Sequence, residues 1–271
     1  FLPNTRYNRY MLLFRKYWLL LLILVVAAGI RLYGLSLGDP ISDEVLYGFR
    51  SIGMLDFDFA VAQPGTLQLF ADKGLAIPSW TKLSFHDHPP LVFLVQHWFM
   101  GLFGVNLWAL RLPSVLFGIA TIFFVFLIGK KLFSERAGIL TAALVATNVL
   151  MLYASRTGVQ EAQVIFFIVL SVYCFLRALE DHRWWWALGG ALGLGLLTKY
   201  TTGFILMPML LYLGIFRRDQ LRTAYPYLSA VLAALIFSPV LIYNILLYRS
   251  FGHFVFQLSF MFGQRVSYWQ L

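Results

Sequence analysis

Four short polar stretches in an otherwise apolar chain carry the residues able to do chemistry. The first is Asp39-Pro40-Ile41-Ser42-Asp43-Glu44-Val45-Leu46-Tyr47. Pro40 ends the preceding run and Ser42 is suited to cap a new helix. Asp43 and Glu44 then fall in its first turn, where the macrodipole favours anions. Neighbouring helix positions diverge by about 100°, so the two carboxylates cannot flank one bond as a glycosidase pair does, and one of them must have a different task. Plain helix-start electrostatics is the competing reading of the same spacing. The second stretch is Phe85-His86-Asp87-His88-Pro89-Pro90-Leu91. Its prolines fix an extended approach and then let a helix begin. His86, Asp87 and His88 are candidates for a divalent metal, with interfacial turn polarity as the alternative. The third, Tyr153 to Glu161, sets Arg156 and Glu161 in a short turn between two apolar runs. In the fourth, Leu197-Thr198-Lys199-Tyr200-Thr201, a lone lysine separates two short apolar runs. Snorkelling to the interface competes there with a role as partner to an anion.

The elements that must position these residues follow from composition. Of 271 residues 60% are hydrophobic, 18% aromatic and 12% charged, with a mean hydropathy of +0.76. A soluble domain carries about 25% charged residues, so a water-soluble globule is excluded and the class is a polytopic membrane protein. The net charge of +9 comes without a dense basic tract or zinc-finger spacing, which argues against nucleic acid as a partner. The single cysteine, Cys174, lies in an apolar run and reads as a packing residue. The run after Arg6, Arg9, Arg15 and Lys16 is long and lacks a small-residue cleavage site, as expected of a retained anchor.

A bilayer core needs about 20 apolar residues per helix. The chain reads as a single all-α transmembrane module, residues 1–271, with spans near 17–37, 107–129, 137–153, 162–179, 184–197, 201–216 and 225–247. A long first outer loop, 38–106, carries an interfacial helix at 91–105. With seven crossings the cytoplasmic side collects Arg6, Arg9, Arg15, Lys16, Lys130, Lys131, Arg136, Arg177, Arg183, Arg217, Arg218 and Arg222, twelve of the 21 cations, as the positive-inside rule demands. That parity puts Asp43, Glu44, Arg156, Glu161 and Lys199 together on the other face.

The outer face thus offers carboxylates able to accept a proton and cations able to hold a phosphate. No phosphate-cradling glycine loop, nucleotide fingerprint or Ser-His-Asp order is present, and no nucleotide cofactor is expected. The order of motifs resembles the protein O-mannosyltransferase and aminoarabinose-transferase branch of the GT-C glycosyltransferases, the dolichyl-phosphate-mannose-protein mannosyltransferase family. The resemblance rests on Asp43-Glu44 with Tyr47, His88-Pro89-Pro90-Leu91, Arg111-Leu112-Pro113-Ser114 with Gly118, Ser155-Arg156 with Glu161, and Gly195-Leu196-Leu197-Thr198-Lys199-Tyr200. It runs from about residue 15 to 250.

The resemblance implies a membrane glycosyltransferase that takes a sugar from a polyprenyl-phosphate carrier and passes it, with inversion, to a protein, lipid or glycan hydroxyl on the outer face of a bacterial plasma membrane. By position, Asp43 matches the catalytic aspartate, Glu44 the adjacent glutamate that places the acceptor, and Glu161 a supporter of the acceptor side. His88, Arg156 and Lys199 match the donor-phosphate side. Family members usually continue into further helices and an outer domain. A non-catalytic GT-C-like subunit of a larger membrane complex, with other membrane subunits as partners, is therefore the alternative. A transporter would place its charges near mid-membrane and repeat its halves, and neither pattern is present.

Overall fold

Polar residues that interrupt the apolar runs set where the helices start. Asn106, Ser134 and Asn148 each stand in an extended conformation, and their side chains accept from the backbone N–H groups of Ala109, Ala137 and Met151. Each thereby satisfies one of the donors that a helix start leaves open. The computed structural model of the protein describes residues 5–40, 43–52 and 88–251, and these form helices and connecting turns without strands. In chain order they are α1 (Thr5–Leu32), α2 (Asp43–Ile52), α3 (Leu91–Phe103), α4 (Leu107–Leu132), α5 (Glu135–Thr147), α6 (Val149–Arg156), α7 (Glu161–Ala178) and α8 (Trp184–Thr198). A 3-10 turn (Tyr200–Ile205) leads into α9 (Leu206–Phe216), followed by α10 (Arg218–Leu221) and α11 (Tyr225–Phe251).

Helices occupy all the segments expected to span or to lie at the interface, with two differences. The run expected as one span over 137–153 is broken. Asn148 at ψ 128° leaves the helical region, ends α5 and caps α6, and the two helices bend by 61°. Asparagine competes for its own backbone in this way at helix starts. The second difference is length. Among the described residues only α4, α7 and residues Tyr225–Leu246 of α11 are long and apolar enough to cross a membrane by themselves. The bent α5–α6 pair makes a fourth candidate. Length and composition alone therefore give three or four crossings among the described residues, with Tyr17–Leu32, Leu91–Phe103 and Tyr200–Phe216 as shorter apolar helices, and the count of seven is not confirmed.

Helix α4 is the central post, packing on α5, α7, α3 and α1, while α7 packs on α8 and α8 on α11. In lipid there is little hydrophobic drive between helices, so close approach depends on small residues. Gly189 and Gly193, four apart on α8, face α11. A Cβ on Gly189 would stand 2.5 Å from the Ser229 carbonyl oxygen, and one on Gly193 2.7 Å from Ile236 Cβ. Buried Phe175, Trp185, Leu188, Leu192, Met209 and Leu213 fill the space among α7, α8 and α9, with Cys174 beside them as a packing group.

The two ends of the bundle differ. At one, Lys131 Nζ lies 2.5 Å from Glu180 and holds that exposed carboxyl below its ordinary value by hydrogen bonding and charge. His182, two residues beyond Glu180, stacks on Tyr225 at the start of α11, with ring centroids 4.5 Å apart. The other end gathers the polar network described below. We predict that Gly193→Leu, which wedges α8 from α11, lowers stability by about 1–3 kcal/mol. Gly190→Leu, with nothing within 4 Å of the added Cβ, leaves the thermal midpoint of the detergent-solubilised protein unchanged. Equal midpoints for the two variants would show that the close approach does not hold the bundle.

Candidate active site

Helix α2 is ten residues long and presents three flanks. Glu44, Tyr47, Gly48, Arg50 and Ser51 are its buried positions. Val45, Phe49 and Ile52 form an apolar flank that borders a cavity of 240 Å³ shared with Met100, Leu107 and Leu110. Asp43 is exposed on the flank opposite that cavity. Arg50, seven residues further, returns to within about 20° of the Asp43 direction.

The adjacent carboxylates therefore have separate environments. Glu44 is 1% exposed. Its Oε1 accepts from Arg111 Nε at 2.7 Å and its Oε2 from Arg111 Nη2 at 2.8 Å, the paired geometry that a guanidinium offers a carboxylate. Oε1 also accepts from the Gly158 N–H at 2.6 Å. Arg111 spends its remaining nitrogen, Nη1, on the Leu35 and Leu37 carbonyls at 2.9 and 3.0 Å. One buried ion pair thus joins the chain beyond α1, α2, α4 and the turn between α6 and α7.

Gly158 is held from both sides. While its N–H goes to Glu44, its carbonyl accepts from Gln96 Nε2 of α3 at 2.7 Å, and Gln96 Oε1 lies 2.7 Å from Ser51 Oγ of α2. A Cβ at this position would meet Leu110 Cγ at 2.7 Å and Glu44 Oε1 at 3.2 Å, so only glycine lets the turn approach. His97 Nδ1 donates to the Ser51 carbonyl at 2.8 Å. His88 is half-buried where the chain returns to α3, its Nδ1 3.1 Å from Arg50 Nη1. Its ring meets Tyr47 and Phe93 edge-on.

The remaining expected site residues attach to the same turn. Arg156, at the end of α6, donates through Nη1 to the Ile30 and Arg31 carbonyls, which the end of α1 leaves open. In exchange, Arg31 donates from α1 to the Ala146 carbonyl at 3.2 Å, next to the α5–α6 break. Arg31 is fully buried, and among the described residues its Nε and Nη2 have no hydrogen-bond partner. Glu161, at the start of α7, pairs with Lys199 at 3.1 Å. Residues 156 to 161 are thus tied successively to α1, to α2 and α3, and to the end of α8. His86 and Asp87 lie outside the described residues. Among the described residues no three His, Cys, Asp or Glu side chains group as metal ligands, and the Nδ1 of His88 is taken by Arg50.

Sequence reasoning named Asp43, Glu44, His88, Arg156, Glu161 and Lys199, but gave Arg111, Arg50, Gly158 and Gln96 no part in the site. For Arg111 a signal existed. It is an isolated arginine near the start of an apolar span, the kind of intramembrane charge that needs a named partner. Gly158 carried no such signal, because only the distance to Glu44 shows why a side chain is excluded.

An all-helical membrane bundle with an exposed acid at one end, braced by a buried ion pair, defines a polytopic membrane protein with a polar site at the ends of its helices. The chain belongs to the dolichyl-phosphate-mannose-protein mannosyltransferase family, whose model matches residues 87–243. It is 26% identical over 191 residues to "Putative mannosyltransferase YycA" of Bacillus subtilis (strain 168), a match covering 70% of this chain and 26% of that protein. It is 24% identical over 127 residues to "Putative mannosyltransferase YkcB" of the same organism, covering 46% of this chain and 18% of that protein. The chain thus spans about a quarter of the length of the first relative and less of the second. No solved structure matches it. Asp43 and Glu44 precede the matched segment, but Arg111 and Gly158, which hold Glu44, lie within it.

Breaking a buried pair leaves a charge uncompensated, at a cost of about 3–5 kcal/mol. We predict that Arg111→Met lowers the thermal midpoint markedly and that adding Glu44→Gln restores part of the loss. Additive losses in that double-mutant cycle would mean that the pair does not act as a unit.

Proposed function

We propose that this chain is the membrane module of an inverting glycosyltransferase that moves a sugar from a polyprenyl-phosphate carrier to a hydroxyl of a protein, lipid or glycan acceptor. The site faces the outer side of a bacterial plasma membrane. The family supports a mannosyl-type sugar. The observation that carries the reading is the division of the carboxylate pair. Glu44 is consumed by Arg111 and Gly158, while Asp43, one residue away on the same fixed helix, stays exposed.

In a single displacement the acceptor oxygen forms a bond to the anomeric carbon as the bond from that carbon to the phosphate oxygen breaks. The hydroxyl proton passes to a carboxylate, and the electron pair leaves with the polyprenyl phosphate. Asp43 is the base, since a proton acceptor must reach the acceptor hydroxyl. Glu44 contributes by fixing the turn of α2 from which Asp43 projects, and so serves the acceptor side indirectly. Positive charge has to stand where the phosphate gains its own. Arg156 supplies it from one end of the 156–161 turn and Lys199 from the end of α8, with His88 adding a hydrogen-bonding group and Glu161, at the other end of that turn, setting the lysine in place. The cavity beside Val45, Phe49 and Ile52 suits an apolar portion of a lipid substrate.

Asp43→Asn is expected to abolish sugar transfer from a polyprenyl-phosphate sugar in membranes while leaving folding and insertion intact. Near-normal turnover by this variant would sink the assignment. Removing Arg156 with Arg156→Ala is expected to weaken binding of polyprenyl phosphate about tenfold, as loss of one charge-assisted hydrogen bond does. Unchanged affinity in a binding titration would count against its place on the donor side.

A further inference from the structure

A second cavity shares no lining residue with the polar site. It measures 350 Å³ and lies among α8, α9 and α11, with Trp185, Leu192, Leu196, Leu210, Tyr227 and Leu241 along its length. One side of it is open. Helix α11 packs along α8, whereas α9 and α11 make no extensive contact with each other, and Leu210, Tyr227 and Leu241 remain exposed. In a membrane such an opening faces lipid. Length narrows what can fill it. The lining from Trp185 to Leu196 of α8 covers about 16 Å at the helical rise, close to the roughly 15 Å that one leaflet contributes to the hydrocarbon core. That is room for a single acyl chain running with the helices from one membrane surface.

The two ends of this groove differ in charge. At the Trp185 end, α8 begins with Trp184-Trp185-Trp186, and Tyr225 and Tyr227 open α11, an aromatic belt of the kind that marks headgroup depth. Arginines gather around it. Arg177 lies over the Trp184 ring at 5.1 Å, and Arg217 donates to the Leu179 carbonyl at 3.2 Å. Arg183 precedes the tryptophans, and Arg222 follows Leu221, which lines the groove. The acids nearby are engaged: Glu180 pairs with Lys131, Asp219 pairs with Arg217, and Asp181 accepts from the Arg183 N–H. The guanidinium groups of Arg183 and Arg222, both exposed residues, have no partner among the described residues. At the other end the next cation along α8, Lys199, is already paired with Glu161.

We propose that the groove among α8, α9 and α11 binds an anionic phospholipid, with one acyl chain in the groove and the phosphate held by Arg183 and Arg222. Basic pockets between membrane helices recognise anionic headgroups in this way. The inference stands apart from the transferase reading, since the headgroup sits at the end of the bundle opposite Asp43. A bound chain bridges α9 to α11, so occupancy stabilises the folded protein by mass action. The carrier lipid of the proposed reaction is the rival occupant, and it would enter with its phosphate at the opposite end.

The test uses the full chain in phosphatidylcholine nanodiscs, with phosphatidylglycerol brominated along its acyl chains as the probe. Bromine quenches nearby tryptophan, and the part of the quenching lost in Trp185→Phe reports the groove. That part is expected to reach half its maximum at a mole fraction about tenfold lower for brominated phosphatidylglycerol than for brominated phosphatidylcholine. Arg183→Gln combined with Arg222→Gln removes the difference and leaves phosphatidylcholine quenching as it was. Ala230→Phe, which puts a ring into the groove from an exposed lining position, removes the Trp185 signal for both lipids. Phosphatidylglycerol raises the Tm of the unaltered protein but not that of Ala230→Phe.

Coincident curves for the two lipids in the unaltered protein overturn the proposal, and that measurement needs only Trp185→Phe to fold. A preference that survives the double arginine variant, with its Tm in phosphatidylcholine unchanged, overturns it as well. Undecaprenyl phosphate that displaces the brominated phosphatidylglycerol at equal mole fraction makes the carrier tail the occupant. A stable dimer that lacks the Trp185 signal puts a second copy of the chain there. Either result refutes the phospholipid site.

Discussion

The polar end of this molecule depends on one buried carboxylate. Glu44 has no solvent to ionise into, so its charge is tolerable only because Arg111 meets both oxygens and the Gly158 N–H adds a third hydrogen bond. Those three donors arrive from α4 and from the turn before α7, and the same arginine reaches back to the carbonyls of Leu35 and Leu37. Desolvation makes such a pair a poor source of net stability, but it makes any other arrangement far worse. The pair therefore acts as a registration device. Segments separated by 67 and 114 residues are brought to within hydrogen-bond distance of one side chain, and Asp43 inherits a fixed position because it is the next residue along the same helix.

The turn from Arg156 to Glu161 extends that registration outward. Its first residue caps α1, its central glycine is shared by α2 and α3, and its last residue pairs with the lysine that ends α8. Backbone groups inside a helix already bond one another, so the open carbonyls and N–H groups that such cross-ties can use lie where the helices end. Among the described residues the helix ends are cross-tied to one another by side chains of defined partner and direction. The division of labour on α2 follows: one flank packs, one borders an apolar cavity, and one carries Asp43 with Arg50 behind it.

Much of this was legible beforehand, and the physics explains which part. Apolar runs and their interrupting polar residues encode helices locally, so the positions of α3, α4, α7, α8 and α11 could be read directly. The bend at Asn148 could not, because residues 137–153 are apolar enough to be taken as one span and the break depends on a single ψ angle. At the site, Asp43 stood out by its company with Glu44, yet nothing local said which of the two is buried. That answer lies in Arg111 and Gly158, far along the chain. Lys199 stands out as a lone charge between apolar runs. Arg31 carries the same signal but sits inside a run whose hydrophobicity hides it, while Arg111 stands in a visible motif that does not show its partner, Glu44.

The exchange between Arg31 and Arg156 sets a condition on how the protein is made. When α1 enters the membrane its arginine, in the last turn of the helix, has the Ala27 carbonyl of its own helix as partner, and a cation at a span's end with so few partners is costly to bury. The Ala146 carbonyl that relieves it lies 115 residues later. At a synthesis rate of about 5–20 residues per second the delay is on the order of ten seconds. Throughout that interval Arg31 lacks the Ala146 partner that the broken span later brings beside it.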